Sequence, residues 1–369
     1  MKPLYALPDH EVIKDLIPGI ADTHLTGRAA VEGIRAARGL VPVAIDPGTG
    51  RHDAKVLWAD LGEHPFREWQ FSYTIQHLAT NGLIGQAFTT DFDILQDERI
   101  LADPIRPTGF IYHVGRCGST LTAKAIARSP RNVVVNEGGP LQKGFWEVIT
   151  GNWSRPAAPT PETLAAFRNL VMAMTRRRQA VQDTAFVKLI SWNILYVDFI
   201  TAAFPDAAAL FLYRDPIEVI ASVQRGTTSI LLAKGQPQAG FLTGLPWQET
   251  AAMDRYPYLA TCIGNYLRTA LAAGDRLRVV NYLDIKPDTF VRMLGEGLRY
   301  VPPESEVGPM LEQFRFHAKD DSDSAVFVSD SAEKQSAVPD DAKMVIRARC
   351  DGLVAALDSS PQNPFARCR

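Results

Sequence analysis

The chain of 369 residues holds only four cysteines, Cys117, Cys262, Cys350 and Cys368, and they lie too far apart to form any C-x-x-C pair. That spacing argues against a compact zinc motif and a disulfide framework, and it fits a reducing cytoplasm. Neither sign of charge is in excess. Thirty-nine lysines and arginines stand against 41 aspartates and glutamates, a formal net charge of −2. No overall field draws the chain to nucleic acid or to an anionic membrane, so any anion site has to be built locally. Long hydrophobic runs are missing as well: the longest apolar tract, 185–204, is broken by Lys188 and Asp198 and is not a membrane span. The first ten residues carry prolines and an aspartate where a secretory signal needs an unbroken apolar stretch, so no signal is expected. Basic patches interleaved with aromatic residues are also lacking, which disfavours a nucleic-acid or heparin-like ligand. What remains is an ordinary soluble composition, 46% hydrophobic and 22% charged, able to bury one large core or a core with a smaller appendage.

From Thr108 onward short apolar strands alternate with helices. Strands are predicted over 109–113, 132–136, 185–189, 208–213 and 278–282, and helices over 119–128, 139–150, 161–180, 192–203, 216–224 and 251–273. This rhythm predicts βαβ units and a parallel sheet covered by helices on both faces, an α/β fold. The stretch 226–249, rich in glycine with two prolines, is expected to be a long irregular loop. Residues 1–105 lack the rhythm: 54–61 alternates like one strand, and Phe66, Trp69, Tyr73, Ile75 and Leu78 have helical spacing. They read as an N-terminal accessory region ahead of a P-loop-type domain over 106–369.

The most telling segment is Tyr112-His113-Val114-Gly115-Arg116-Cys117-Gly118-Ser119-Thr120, between an apolar strand and a helix. A strand that turns on glycines into a helix start leaves backbone N–H groups unpaired at the positive end of the helix dipole, which suits a phosphate. The nucleotide-hydrolase loop G-x-x-x-x-G-K-[ST] has a lysine after its second glycine, whereas here Gly118 is followed by Ser119 and Arg116 sits inside the loop. A guanidinium binds a phosphate or sulfuryl group bidentately, which lysine cannot do. The second telling segment ends the strand 208–213 in Arg214-Asp215-Pro216. Asp215 is placed to cap the next helix, Arg214 lies at the strand's carboxyl end, and Ser222 lies two turns into the helix.

With both segments in this order, the chain over about 108–335 resembles the bacterial-type sulfotransferases that use 3′-phosphoadenosine 5′-phosphosulfate (PAPS). Their signatures are a lysine-free or arginine-bearing phosphate loop and an Arg followed eight positions later by Ser. The resemblance implies a P-loop-type sheet, PAPS as donor and adenosine 3′,5′-bisphosphate (PAP) as product, and no metal. Gly115, Arg116, Cys117, Gly118, Ser119 and Thr120 would hold the donor's 5′ end, Arg214 and Ser222 its 3′-phosphate, and Lys334 a closing loop. Glu137, at the end of the second strand, can take an acceptor's proton and is the candidate base, with His113 as the rival. Lys188, a cation inside an apolar strand, would touch the sulfate or bridging oxygen. The acceptor is expected to be a small molecule with a hydroxyl or amine. Trp146, Trp153, Trp192, Trp247, Tyr256 and Tyr258 are read first as core and second as its pocket.

Rival readings are an ATP- or GTP-dependent kinase or hydrolase, which would need a strand-end aspartate for Mg²⁺, and a nucleotide-binding scaffold without turnover. Cys117, beside Arg116 and a helix start, has the surroundings of a reactive thiol but no evident partner. The acidic residues Asp320, Asp321 and Asp323 fail the EF-hand pattern. The oligomeric state, a homodimer included, is left open.

Overall fold

The computed structural model describes residues 9–225, 229–320, 322, 324–326 and 330–366. The chain forms two compact units, neither continuous in sequence. One gathers Met1–Thr108, Ile126–Leu189 and Phe199–Ala207; the other gathers Gly109–Ala125, Ile190–Asp198 and Ala208–Arg369.

Residues before 105 contain more than the single strand expected. Strands β1 (His24–Leu25), β2 (Leu40–Asp46), β3 (Lys55–Asp60) and β4 (Ala87–Asp91) form a sheet in the order β1–β4–β3–β2. β3 runs antiparallel to both neighbours, and β1 parallel to β4. Pro42 hides β2 from a sequence reading, since proline lacks the N–H of a ladder. The sheet accommodates it on an edge strand, with a register shift between Pro42 and Ala44.

The remaining strands are β5 (Pro107–His113), β6 (Asn132–Asn136), β7 (Thr184–Lys188), β8 (Ala208–Tyr213) and β9 (Arg278–Asn281). They make the five-stranded parallel sheet in the order β6–β7–β5–β8–β9, flanked by helices, in agreement with the α/β expectation. The chain leaves β5 toward one edge and returns to build the other, so the carboxyl end of β5 is the topological switch point where such sheets bind ligands. β6 and β7 pair from Asn132↔Thr184 to Asn136↔Lys188, and their buried Val-Val-Val and Ala-Phe-Val runs are those of a strand covered on both faces.

Two helical expectations change. The stretch 226–249 is not an irregular loop: helices Ser229–Leu232, Pro237–Thr243 and Trp247–Ala252 occupy its described part and its end, while 226–228 lie outside the described residues. Pro237 opens the second of these and Gly244, at φ 72°, closes it, so these residues punctuate helices. The helix expected over 161–180 runs only over Pro161–Met174. Beyond it Arg176 is buried at 1% exposure and donates from Nη1 to the carbonyls of Ile34, Ala37 and Leu40 and from Nη2 to that of Ile100, at 2.8–3.2 Å. One guanidinium thus satisfies carbonyls at the end of helix Gly27–Arg35 and in the turn that follows it. Burial pushes its pKa down to about 10, and the four acceptors compensate the charge for lost water.

Replacing Arg176 by Met, which keeps the stem but removes the guanidinium donor shared by the carbonyls of Ile34, Ala37, Leu40 and Ile100, is expected to lower stability by about 3 kcal/mol or more. Arg28→Ala, at an exposed pair with Glu32, should change it by less than about 0.5 kcal/mol. Urea unfolding of both variants measures the contrast, and equal losses would refute the role given to Arg176.

Candidate functional site

Leaving β5, the chain takes left-handed dihedrals at Gly115 (φ 89°), Arg116 (φ 55°) and Gly118 (φ 82°). Alternation of this kind turns successive N–H groups toward one side and makes an anion-binding nest. Helix Ser119–Ile126 follows, its first bond running from Thr122 N–H to Gly118 O at 2.9 Å, so the amides of Ser119, Thr120 and Leu121 have no acceptor within the helix. Position 118 needs glycine twice over. Its dihedral is left-handed, and an added Cβ would sit 3.1 Å from the Tyr282 ring and 3.2 Å from Ile285. Arg116 has neither reason to be there, since a non-glycine residue in that region costs about 1 kcal/mol or more. Its guanidinium has no ion-pair partner among the described residues.

Three neighbours fix the loop. His113, 4% exposed, accepts the Gly115 N–H at Nδ1 over 2.9 Å. That nitrogen is engaged with the backbone, and through it His113 braces the loop. Cys117 is fully buried and its thiol donates to the Leu212 carbonyl at 3.1 Å, which ties its side chain to the framework under the loop. Arg214 Nη1 donates to the Arg116 carbonyl at 3.3 Å.

Arg214 itself is 6% exposed and heavily engaged. Its Nε donates to Glu218 at 2.6 Å, its Nη2 to Ser331 at 2.9 Å, and its guanidinium lies 4.2 Å from the centre of the Tyr282 ring. Asp215 caps helix Pro216–Gln224 by accepting from Ile217 N–H at 2.7 Å, and its other oxygen accepts from Gln335 at 2.8 Å. Ser222 is half-buried on that helix. Lys334, buried, is paired with Asp330 at 2.8 Å, within 4 Å of which Arg214 also comes. Ser329 and Phe327, part of the expected closing loop, lie outside the described residues, as do Asp321 and Asp323. Asp320 is bound up in its own turn by the amides of Ser322, Ser324 and Ala325.

In the other unit, Glu137 and Lys188 form a direct ion pair through Glu137 Oε1. β6 and β7 place them there: the Glu137 amide adds one rung to the ladder by donating to the Lys188 carbonyl at 2.8 Å. Lys188 has no solvent exposure, and the carboxylate supplies the opposite charge that a buried ammonium needs. Glu137 sits at φ 48°, a second non-glycine residue in the left-handed region at a position predicted to do chemistry. Its Oε2 accepts from Gln70 Nε2 at 3.1 Å. Nothing in the local pattern points to Gln70, 67 residues away, or to Tyr282 as a platform, whereas Glu218, four residues from Arg214, is readable as a partner. Of the aromatic residues, Trp146, Trp192 and Tyr258 are buried, whereas Trp153 and Tyr256 are half-buried and Trp247 is exposed. Among the described residues no helix is long and apolar enough to cross a membrane.

No family model matches the chain, and no curated protein matches it. Among solved structures, the chain is similar to the sulfotransferase domain from the curacin biosynthetic pathway at 13% identity and a TM-score of 0.37, over 69% of this chain and 98% of that one. It is similar to the sulfotransferase from Alicyclobacillus acidocaldarius at 17% identity and a TM-score of 0.33, over 66% of this chain and 95% of that one.

Arg116→Gly is expected to preserve or raise stability, by up to about 1 kcal/mol, because it relieves the left-handed dihedral. The same variant should lose affinity for inorganic sulfate, read by calorimetry. A destabilised Arg116→Gly with unchanged sulfate binding would contradict both halves.

Proposed function

We propose that the chain is a sulfotransferase that moves a sulfuryl group from PAPS to a hydroxyl or amine of a small-molecule acceptor. The observation that carries this reading is the lysine-free loop of β5. It has left-handed Gly115, Arg116 and Gly118, a guanidinium with no ion-pair partner among the described residues, and the strand-end Arg214 bonded to its backbone. In the reaction the acceptor atom bonds to sulfur as the bond from sulfur to the 5′-phosphate oxygen breaks, and PAP leaves. Glu137 takes the acceptor's proton. Residues 115–120 hold the 5′-phosphate and Arg116 meets the charge that develops on it. Arg214 and Ser222 hold the 3′-phosphate, with Lys334 and Asp330 beside Arg214. Lys188 acts as the counter-ion that lets Glu137 carry its charge away from bulk water. Cationic side chains here take the place of a lysine and Mg²⁺, so transfer proceeds without added metal.

The kinase or hydrolase reading needs a strand-end carboxylate on Mg²⁺. Asp215 is the residue in that position, and both of its oxygens are engaged, one as a helix cap and one by Gln335. The deciding experiment is thermal unfolding with PAP against ATP plus Mg²⁺. PAP at about a hundred times its dissociation constant should add about 2.7 kcal/mol of stability without metal. Arg214→Ala should abolish that gain. Stabilisation by ATP–Mg²⁺ alone would overturn the reading.

A further inference from the structure

The first two residues beyond the apolar run of β6 are both tied to one short segment before helix Phe71–Thr80. Asn136 Nδ2 donates to the Glu68 carbonyl at 3.1 Å, and Gln70 Nε2 donates to Glu137 Oε2 at the same distance. The segment is itself anchored. Burial alone would raise the Glu68 carboxyl, but hydrogen bonds from His64 at 3.0 Å and Thr74 at 2.6 Å outweigh it and bring the pKa down to about 2. Gln70 occupies the N-cap position of the helix, yet its side chain makes no capping bond. At 7% exposure it has given up both water and the helix start for the carboxylate. Glu137 is thereby held at both oxygens, by Lys188 on one and Gln70 on the other.

We propose that Gln70 is the positioning residue of Glu137, fixing the plane of the carboxylate so that Oε2 is the atom that receives the acceptor's proton. The assignment rests on the reading of Glu137 as the base. Oε1 faces a permanent cation, whereas Oε2 faces a neutral amide donor that can yield to an incoming O–H or N–H. Residues before 105 thus contribute directly to the chemistry of Glu137.

Other charged groups bear on Glu137. Lys188 approaches it from β7, and Asp9, on helix Asp9–Leu16, is near enough for the charge of Glu137 to help raise the affinity of Asp9 for its proton, chiefly raised by burial. Lys143 and Glu147 stand around Asp9. A shift measured on Glu137 therefore has to be separated from theirs. The test is an infrared pH titration of the carboxylate band that disappears in Glu137→Gln, compared between the wild-type chain and Gln70→Leu. Loss of one N–H donor to the charged form should move that titration upward by roughly half a unit or more. PAP release from PAPS, with water as acceptor, should slow about tenfold in kcat with KM for PAPS within about twofold. Gln70→Asn, whose amide is one methylene short, should shift the band in the same direction and serves if Gln70→Leu does not fold. An unmoved band in a folded variant overturns the proposal. The infrared titration needs no donor, so a shifted band in a chain that never releases PAP keeps the Gln70–Glu137 link and discards the reaction.

Discussion

The burial of one ammonium group organises half of what is chemically notable here. Lys188 ends a strand covered on both faces and has no exposure, so it has to meet a carboxylate or lose its charge. The partner comes from the adjacent strand end: the parallel β6–β7 register puts Asn136 opposite Lys188 and Glu137 one step beyond. Glu137 makes that pair from a left-handed backbone, at φ 48°. The base candidate and the cation candidate, read independently from the sequence, are therefore one physical object.

The other notable region follows a different logic, that of crowding around a glycine. Tyr282 lies against the space above Gly118 and also under the Arg214 guanidinium, so one ring holds the loop and the strand-end arginine at once. His113 and Cys117 serve the same end from inside, each giving its side chain to a backbone group. Arg116, whose guanidinium has no ion-pair partner among the described residues, is the loop residue with the dihedral least suited to it.

What could be read from the sequence was whatever depends on near neighbours. The strands 132–136 and 208–213 and the helix 216–224 agree with the structure to the residue, because continuous apolar runs, a capping aspartate and a first-turn proline are local signals. The glycine loop was readable for the same reason. The early four-stranded sheet was not, since β1 has two residues and β2 carries Pro42. Nor was the end of helix Pro161–Met174, which is set by the acceptors of Arg176 more than a hundred residues earlier. Gln70 is illegible for a similar reason: a lone glutamine before a helix carries no pattern, and only the fold brings its amide to Glu137.

Arg176 has a consequence for the order of events during synthesis. Its bond to the Ile34 carbonyl spans 142 residues, and the unit that contains both also needs 199–207. The N-terminal sheet therefore emerges from the ribosome long before the side chain that completes its lining exists. Until then the carbonyls of Ile34, Ala37 and Leu40 lack the guanidinium that later bonds them, and loop closure over that length is slow compared with local folding. The lining of that sheet therefore closes only after the residues between Leu40 and Arg176 have been made.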